Sequence, residues 1–207
     1  SGNTSGQVKY NEVQKILDFS IKNGIDTLDT APLYGNSEIV LGKIGINDFN
    51  IITKTTSLTL GVNSVIESFH ESLKNLRISS VNGLLIHNIE DILDKNFDSL
   101  YNQLVILKND KLINKIGFST YFPEQVDFLL ENFDFDLIQV PINVFDTRLI
   151  ENGQLQKLKN KKIEIHARSI FLQGLLLDFK KLDNYFDKWI SQFNNYQDIV
   201  KASKLTL

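Results

Sequence analysis

Apolar residues recur along this chain in two alternating patterns. Residues 11–24 are apolar at Val13, Ile16 and Leu17 and stop at Gly24, a spacing that indicates an amphipathic helix. Segments such as 81–88 are apolar at most positions, which is typical of strands buried on both faces. The pattern predicts helices at 11–24, 37–45, 63–78, 97–113, 123–133, 152–162 and 196–207. It predicts strands at 25–32, 50–56, 81–88, 115–121, 137–145 and 163–171.

Strands that alternate with helices and are buried on both faces indicate a parallel sheet in an α/β protein. The predicted strand ends recur about one βα unit apart, which predicts a (β/α)8 TIM barrel with right-handed crossovers. A doubly wound open sheet is the alternative, but no G-x-G-x-x-G turn follows any predicted strand. The strand ends are Asp29, Lys54, His87, Ser119, Asn143 and Arg168.

A complete barrel has eight strands, whereas the pattern predicts six. The chain starts at Ser1, contains no methionine and closes on a helix without a stop signal. We therefore expect residues 1–207 to form a single partial domain whose first and last barrel strands lie outside these residues.

Composition narrows the class of partner. The net charge of −3 and the scattered lysines argue against nucleic acid. The absence of cysteine excludes disulfides and thiolate metal sites. We find no apolar run of membrane-spanning length and no signal peptide, so we predict a cytoplasmic protein without a membrane partner.

Polar side chains at successive strand ends form the candidate site. Asp29, Lys54 and His87 end three consecutive strands, and Tyr34 lies in the loop after the first. Taken singly, each residue also has a structural interpretation. Asp29 could cap a turn and Lys54 could be a surface charge, while His87 could be a structural histidine and Tyr34 a packing aromatic. Together they suit carbonyl reduction, because an ammonium stabilises a phenolate and a neutral imidazole orients a carbonyl. A metal site from His87, His166 and an acid lacks local ligand spacing, so we predict none.

These segments resemble the aldo-keto reductase family. The resemblance rests on GIDTLDTAPLYGNSEIVLGK (24–43), IITK (51–54), LLIHN (84–88), KIGFST (115–120) and IQVPIN (138–143). It implies a TIM barrel that reversibly reduces a small-molecule aldehyde or ketone with a nicotinamide cofactor. By this likeness Asp29, Tyr34, Lys54 and His87 match the catalytic tetrad, with Tyr34 as general acid.

The same resemblance implies a set of cofactor-binding residues. Thr120 stands where the family has asparagine, and Arg168 stands where many members have a tyrosine that stacks on the nicotinamide. The family usually takes NADP(H), with NAD(H) as the alternative here, because the segment expected to discriminate them lies outside these residues. The set is Ser119, Thr120, Gln139, Arg168, Ser169, Phe171, Leu172 and Gly174.

A catalytically weak cofactor-binding regulatory or scaffold member is one functional alternative, and a non-functional fragment is another. The substrate and the oligomeric state are not readable. Glu38 is predicted to fix the start of the helix that follows it. Phe186 and Trp189 are predicted to pack the segment near 175–195, with lining of a substrate pocket as the alternative.

Overall fold

The computed structural model describes residues 6–177 and 183–204. Within these residues six parallel strands form one sheet whose spatial order follows the chain, β1-β2-β3-β4-β5-β6. The strands are β1 (Thr27–Asp29), β2 (Asn50–Lys54), β3 (Val81–Ile86), β4 (Ile113–Ser119), β5 (Leu137–Pro141) and β6 (Glu164–Arg168). The helices are α1 (Tyr10–Lys22), α2 (Ser37–Ile44), α3 (Val62–Leu76), α4 (Phe97–Asn109), α5 (Pro123–Asn132), α6 (Arg148–Glu151), α7 (Gln154–Asn160) and α8 (Ile190–Ala202). A doubly wound sheet would reverse its strand order at a switch point, so the consecutive order excludes that alternative.

The sheet is strongly curled. Gln139 on β5 donates a hydrogen bond from Nε2 to Asp29 Oδ1 at the end of β1, at 2.9 Å. Four strand spacings separate β1 from β5, roughly 19 Å in a flat sheet. Side chains can meet across that gap only if the sheet bends around its interior. The strands therefore form a half-barrel with helices between them, as in an incomplete (β/α)8 barrel, which confirms the predicted fold class.

Two layers of side chains fill the inside of the curl. Side chains two residues apart on a strand share a face. Ile52, Leu85 and Leu137 pack together there as a small apolar cluster, and the residues two positions further along carry polar groups. The larger core lies outside the sheet, where Leu84 and other strand residues pack against the helices.

Several boundaries differ from the predicted ones. The first strand, β1, is only three residues long. Strand β5 ends at Pro141, before the predicted end, because Asn143 pairs with Asp146 across a turn. The helix predicted at 152–162 is shorter in the structure and corresponds to α7. The short helix α6 precedes it, and Gly153, which has a left-handed φ of 83°, separates the two. Helix α8 begins at Ile190, six residues before the predicted start, because its Phe193 is buried against Leu176. Residues 205–207 of the predicted helix lie outside the described residues.

Candidate active site

The carboxyl ends of β1, β2 and β3 meet at one mouth of the half-barrel. Asp29 and Lys54 are the last residues of their strands, and His87 directly follows β3. Lys54 and His87 lie two residues beyond Ile52 and Leu85 of the buried apolar cluster, so the two-residue alternation of a strand places them in a polar layer at this mouth. Asp29 joins this layer through its contact with Lys54. The predicted tetrad positions are therefore brought together.

An ion pair between buried Lys54 and the more exposed Asp29 forms the base of this layer. The Lys54 side chain is 1% exposed, and its Nζ donates to both Asp29 oxygens, Oδ1 at 2.8 Å and Oδ2 at 2.7 Å. Nζ also donates to the backbone oxygen of Thr30 at 2.9 Å. These contacts use all three ammonium hydrogens. Three acceptors hold the buried ammonium in place.

Tyr34 lies over this ion pair in the loop between β1 and α2. Its backbone N–H donates to Ala31 O at 3.0 Å, and a 2.6 Å hydroxyl–hydroxyl bond between Thr30 and Ser37 closes the loop beneath it. The ring centroid is 4.8 Å from Lys54 Nζ, and the residue is 47% exposed. The ammonium therefore acts on the ring through its charge, while solvent and small molecules reach the tyrosine.

The His87 ring contacts the Tyr34 ring. The two rings meet edge to face with centroids 6.0 Å apart, and Thr55 Oγ1 accepts the backbone N–H of His87 at 3.3 Å. Burial lowers the pKa of His87 below 6.5, and the positive charges of Lys54 and Arg168 lower it further, against the raising effect of Asp29. Its imidazole is therefore neutral near pH 7. Its Nδ1 is buried without a hydrogen-bond partner.

The predicted cofactor residues lie at the ends of β4, β5 and β6, next to this layer. Ser119, Thr120 and Gln139 are buried, and Thr120 Oγ1 has no hydrogen-bond partner. The amide nitrogen of Gln139 is already used by Asp29, as described above. The stretch after β6 has a left-handed backbone at several predicted positions, and Phe171 within it is exposed. The positive φ values are at Ser169, Leu172 and Gly174.

Three contacts were not expected from the sequence. Glu38 does not cap α2; its buried carboxylate accepts a hydrogen bond from Thr53 Oγ1 at 2.8 Å, which fixes α2 to the strand residue before Lys54. Asp91 accepts from Leu58 N–H at 3.1 Å and so connects the loops after β2 and β3. Tyr121 lies under the Arg168 guanidinium at 4.0 Å from its ring centroid. The sequence feature that points to this contact is an aromatic residue two positions after the end of β4.

Phe186 and Trp189 line an aromatic cavity of about 470 Å³ beside α8. Phe145, in the loop after β5, and Leu172, in the turn after β6, also line this cavity. Both predicted roles of the pair, packing and pocket lining, fit this position.

A comparison with protein-family models matches residues 1–206 to the aldo/keto reductase family. This chain belongs to that family. Among curated proteins, this aldo/keto reductase is 28% identical over 185 residues to a glyoxal reductase of Bacillus subtilis, covering 86% of this chain and 65% of that protein. It is 22% identical over 188 residues to a D-arabinose 1-dehydrogenase of Saccharomyces cerevisiae, covering 80% and 56%. The chain thus spans less than two thirds of the length of these relatives.

Solved structures give the same fold. A glycerol dehydrogenase of Gluconobacter oxydans superposes with a TM-score of 0.73 at 22% identity, over 97% of this chain and 71% of that one. An aldo-keto reductase of Bacillus halodurans superposes with a TM-score of 0.71 at 22% identity, over 86% and 62%. Within residues 6–177 and 183–204, we find no helix that could cross a membrane and no group of three metal-ligating side chains.

Proposed function

We propose that this protein reduces an aldehyde or ketone to an alcohol, with Tyr34 as the proton donor. The observation behind the proposal is the arrangement of three groups: the ion pair between buried Lys54 and Asp29, the Tyr34 ring 4.8 Å from the ammonium, and a neutral His87 against that ring. A reductase of this kind needs an accessible acid beside a fixed positive charge. Tyr34 is accessible, and its ring lies beside the ammonium of Lys54.

Each residue has a separate task in this proposal. Tyr34 donates its phenolic proton to the carbonyl oxygen as negative charge develops there. Lys54 stabilises the resulting phenolate by its charge, and Asp29 fixes the position of that ammonium. The neutral imidazole of His87 donates a hydrogen bond that orients the carbonyl oxygen. Burial of Lys54 makes the effect of its charge stronger than it would be in water.

A nicotinamide cofactor fits the neighbouring strand ends. Buried polar atoms without partners mark places where a ligand can complete the hydrogen bonding, and Thr120 Oγ1 and Arg168 Nε are two of them. Ser119 and Gln139 would hold the nicotinamide amide, and the left-handed turn at residues 169–174 would hold the pyrophosphate through backbone groups. The cofactor supplies the hydride when bound. NADP(H) is the proposed form, with NAD(H) as the alternative.

The experiment separates cofactor binding from turnover in the Tyr34→Phe variant. We expect carbonyl-dependent NADPH oxidation to fall at least about 100-fold, because general acid catalysis contributes on this scale. Cofactor affinity, followed by quenching of protein fluorescence, should stay within about threefold. Glyoxal and D-arabinose belong in the substrate panel, since two relatives are named for them.

Tyr10→Phe is the matched control, because Tyr10 is an exposed tyrosine whose hydroxyl contacts Lys43 O on the outside of the fold. It should behave as the unaltered protein does. Full activity in Tyr34→Phe would refute the assignment of the acid. Tight cofactor binding without turnover of any carbonyl by the unaltered protein would instead favour the regulatory alternative.

A further inference from the structure

Tyr34 lies in an exposed stretch of the loop that joins β1 to α2. Its neighbours Leu33 and Gly35 are exposed, as is Tyr34 itself. The ring nevertheless lies 4.8 Å from the Lys54 ammonium. Because an exposed ring gains little from packing, its position depends on how the two ends of the loop are held.

The first end of the loop is fixed at Thr30, which is buried. Its backbone N–H donates to Ile52 O at 2.9 Å, and its backbone oxygen accepts from Lys54 Nζ at 2.9 Å. Its hydroxyl shares a 2.6 Å hydrogen bond with the hydroxyl of Ser37, the first residue of α2. Thr30 therefore connects strand β2 with the start of the helix on the other side of the loop.

The second end of the loop is fixed at Glu38, in the first turn of α2. This carboxylate is buried, and its Oε1 accepts from Thr53 Oγ1 at 2.8 Å. Thr53 is also buried and directly precedes Lys54 in β2. Further along α2, Gly42 lies so close to the end of α3 that an added Cβ would be 2.1 Å from Asn75 O. The helix is therefore held along its length, and the Glu38 contact sets where the loop before it ends.

These contacts form a closed circuit around the tyrosine, which we call the loop circuit. Each step of it is a hydrogen bond or a peptide bond, and it runs from Lys54 through Thr30, Ser37, Glu38 and Thr53 back to Lys54. Because the circuit contains both the ammonium and the two ends of the loop, it constrains the distance between the ammonium and the ring. A buried carboxylate deprived of its hydroxyl partner is costly, so the Glu38 bond is hard to break.

We propose that the loop circuit positions the Tyr34 ring beside the ammonium, with Glu38 and Ser37 as positioning residues. They act on the reaction through the tyrosine and bind neither substrate nor cofactor. The inference rests on the proposed reductase function and adds the groups that place its acid. Catalysis depends steeply on such placement, since a shift of about 1 Å can cost about a hundredfold in rate.

The position of the ring is tested by NMR, without cofactor or turnover. The Tyr34 and His87 rings lie edge to face with centroids 6.0 Å apart, so their protons should show a nuclear Overhauser effect. This effect should be lost in Thr53→Val, which keeps the shape of the side chain but not its hydroxyl. It should also be lost in Ser37→Ala. Thr53→Ser restores a hydroxyl and should retain the Overhauser effect.

Thr147→Val is the matched control. Thr147 donates from Oγ1 to Glu151 Oε1 at 2.6 Å on the exposed helix α6, so this variant removes the same kind of hydrogen bond outside the loop circuit. It should leave both the Overhauser effect and kcat unchanged. Thermal melting confirms that each variant is folded, and Ser37→Ala, at a half-buried position, carries the test if Thr53→Val does not fold.

Turnover tests whether the loop circuit acts through the tyrosine hydroxyl. Thr53→Val should lower kcat about tenfold to a hundredfold, because the acid is misplaced. The KM of the carbonyl compound should stay within about threefold, because the lost interaction serves the transition state. In a Tyr34→Phe background the same substitution should change kcat less than about twofold, since no phenolic proton is left to misplace. A role in stability alone would lower kcat equally in both backgrounds.

Two results would overturn the inference. The first is an unchanged Overhauser effect in the folded Thr53→Val and Ser37→Ala variants. The second is an equal loss of kcat from Thr53→Val in the presence and in the absence of the Tyr34 hydroxyl. Full activity of Tyr34→Phe would refute the proposed function instead, and the Overhauser effect alone would then decide whether the loop circuit places the ring.

Discussion

Replacing Asp29 by alanine should destabilise the protein more than replacing its partner, Lys54, by methionine. The two ends of this ion pair differ in burial, because the Lys54 side chain is 1% exposed and that of Asp29 is 38% exposed. Without Asp29 the buried ammonium keeps only the backbone oxygen of Thr30 as acceptor. Without Lys54 the carboxylate keeps water and the amide of Gln139.

The magnitude follows from this asymmetry. Breaking a buried pair by removing one partner costs about 3 to 5 kcal/mol, because it leaves an uncompensated charge. Asp29→Ala should therefore lower the free energy of unfolding by about that amount, equivalent to roughly 6 to 20 °C in Tm for a chain of this size. Lys54→Met should cost less than about 2 kcal/mol, because methionine fills the lysine stem volume and Asp29 remains hydrated.

Urea unfolding of both single variants and of the double variant measures these differences. The double variant should be more stable than Asp29→Ala alone, because it removes the stranded ammonium. The reasoning is refuted if Asp29→Ala is no less stable than Lys54→Met, or if the two single effects simply add.

Two further predictions concern the histidine and the packing inside the curl. NMR titration should place the pKa of His87 below 6.5, and Lys54→Met should raise it. The pKa of His87 is lower in the folded than in the unfolded protein. Its contribution to stability is therefore complete above pH 6.5 and is lost as the pH falls through the pKa of the folded protein. His87→Gln should remove this dependence of stability on pH. A titration midpoint above 6.5 would contradict the assignment. Gly117→Ala should cost about 1 to 3 kcal/mol in urea unfolding, because an added Cβ would lie 2.3 Å from Leu137 O and 2.6 Å from Leu85 Cδ2. Asn114→Ala, at an exposed position of the same strand, should change stability by less than about 0.5 kcal/mol, and equal costs would argue against the close packing.

Much of the architecture could be predicted from the order of apolar and polar residues. Local periodicity marks each element, and parallel strands place their carboxyl ends on one edge, so the positions of Asp29, Lys54 and His87 followed from the chain alone. The errors lie where local pattern is weak. The start of α8 depends on burial of Phe193 against Leu176, and the end of β5 depends on a turn closed by Asn143 and Asp146.

The sequence by itself determined the strand and helix order, the family and the residue types at the mouth of the half-barrel, because these depend on local spacing. Only the tertiary structure decided which groups satisfy one another there. Gln139 reaches Asp29 across 110 residues, Glu38 bonds to Thr53 rather than capping α2, and the Arg168 guanidinium lies on the Tyr121 ring. These pairings are set by how far the sheet curls, a property of all six strands together that no local spacing encodes.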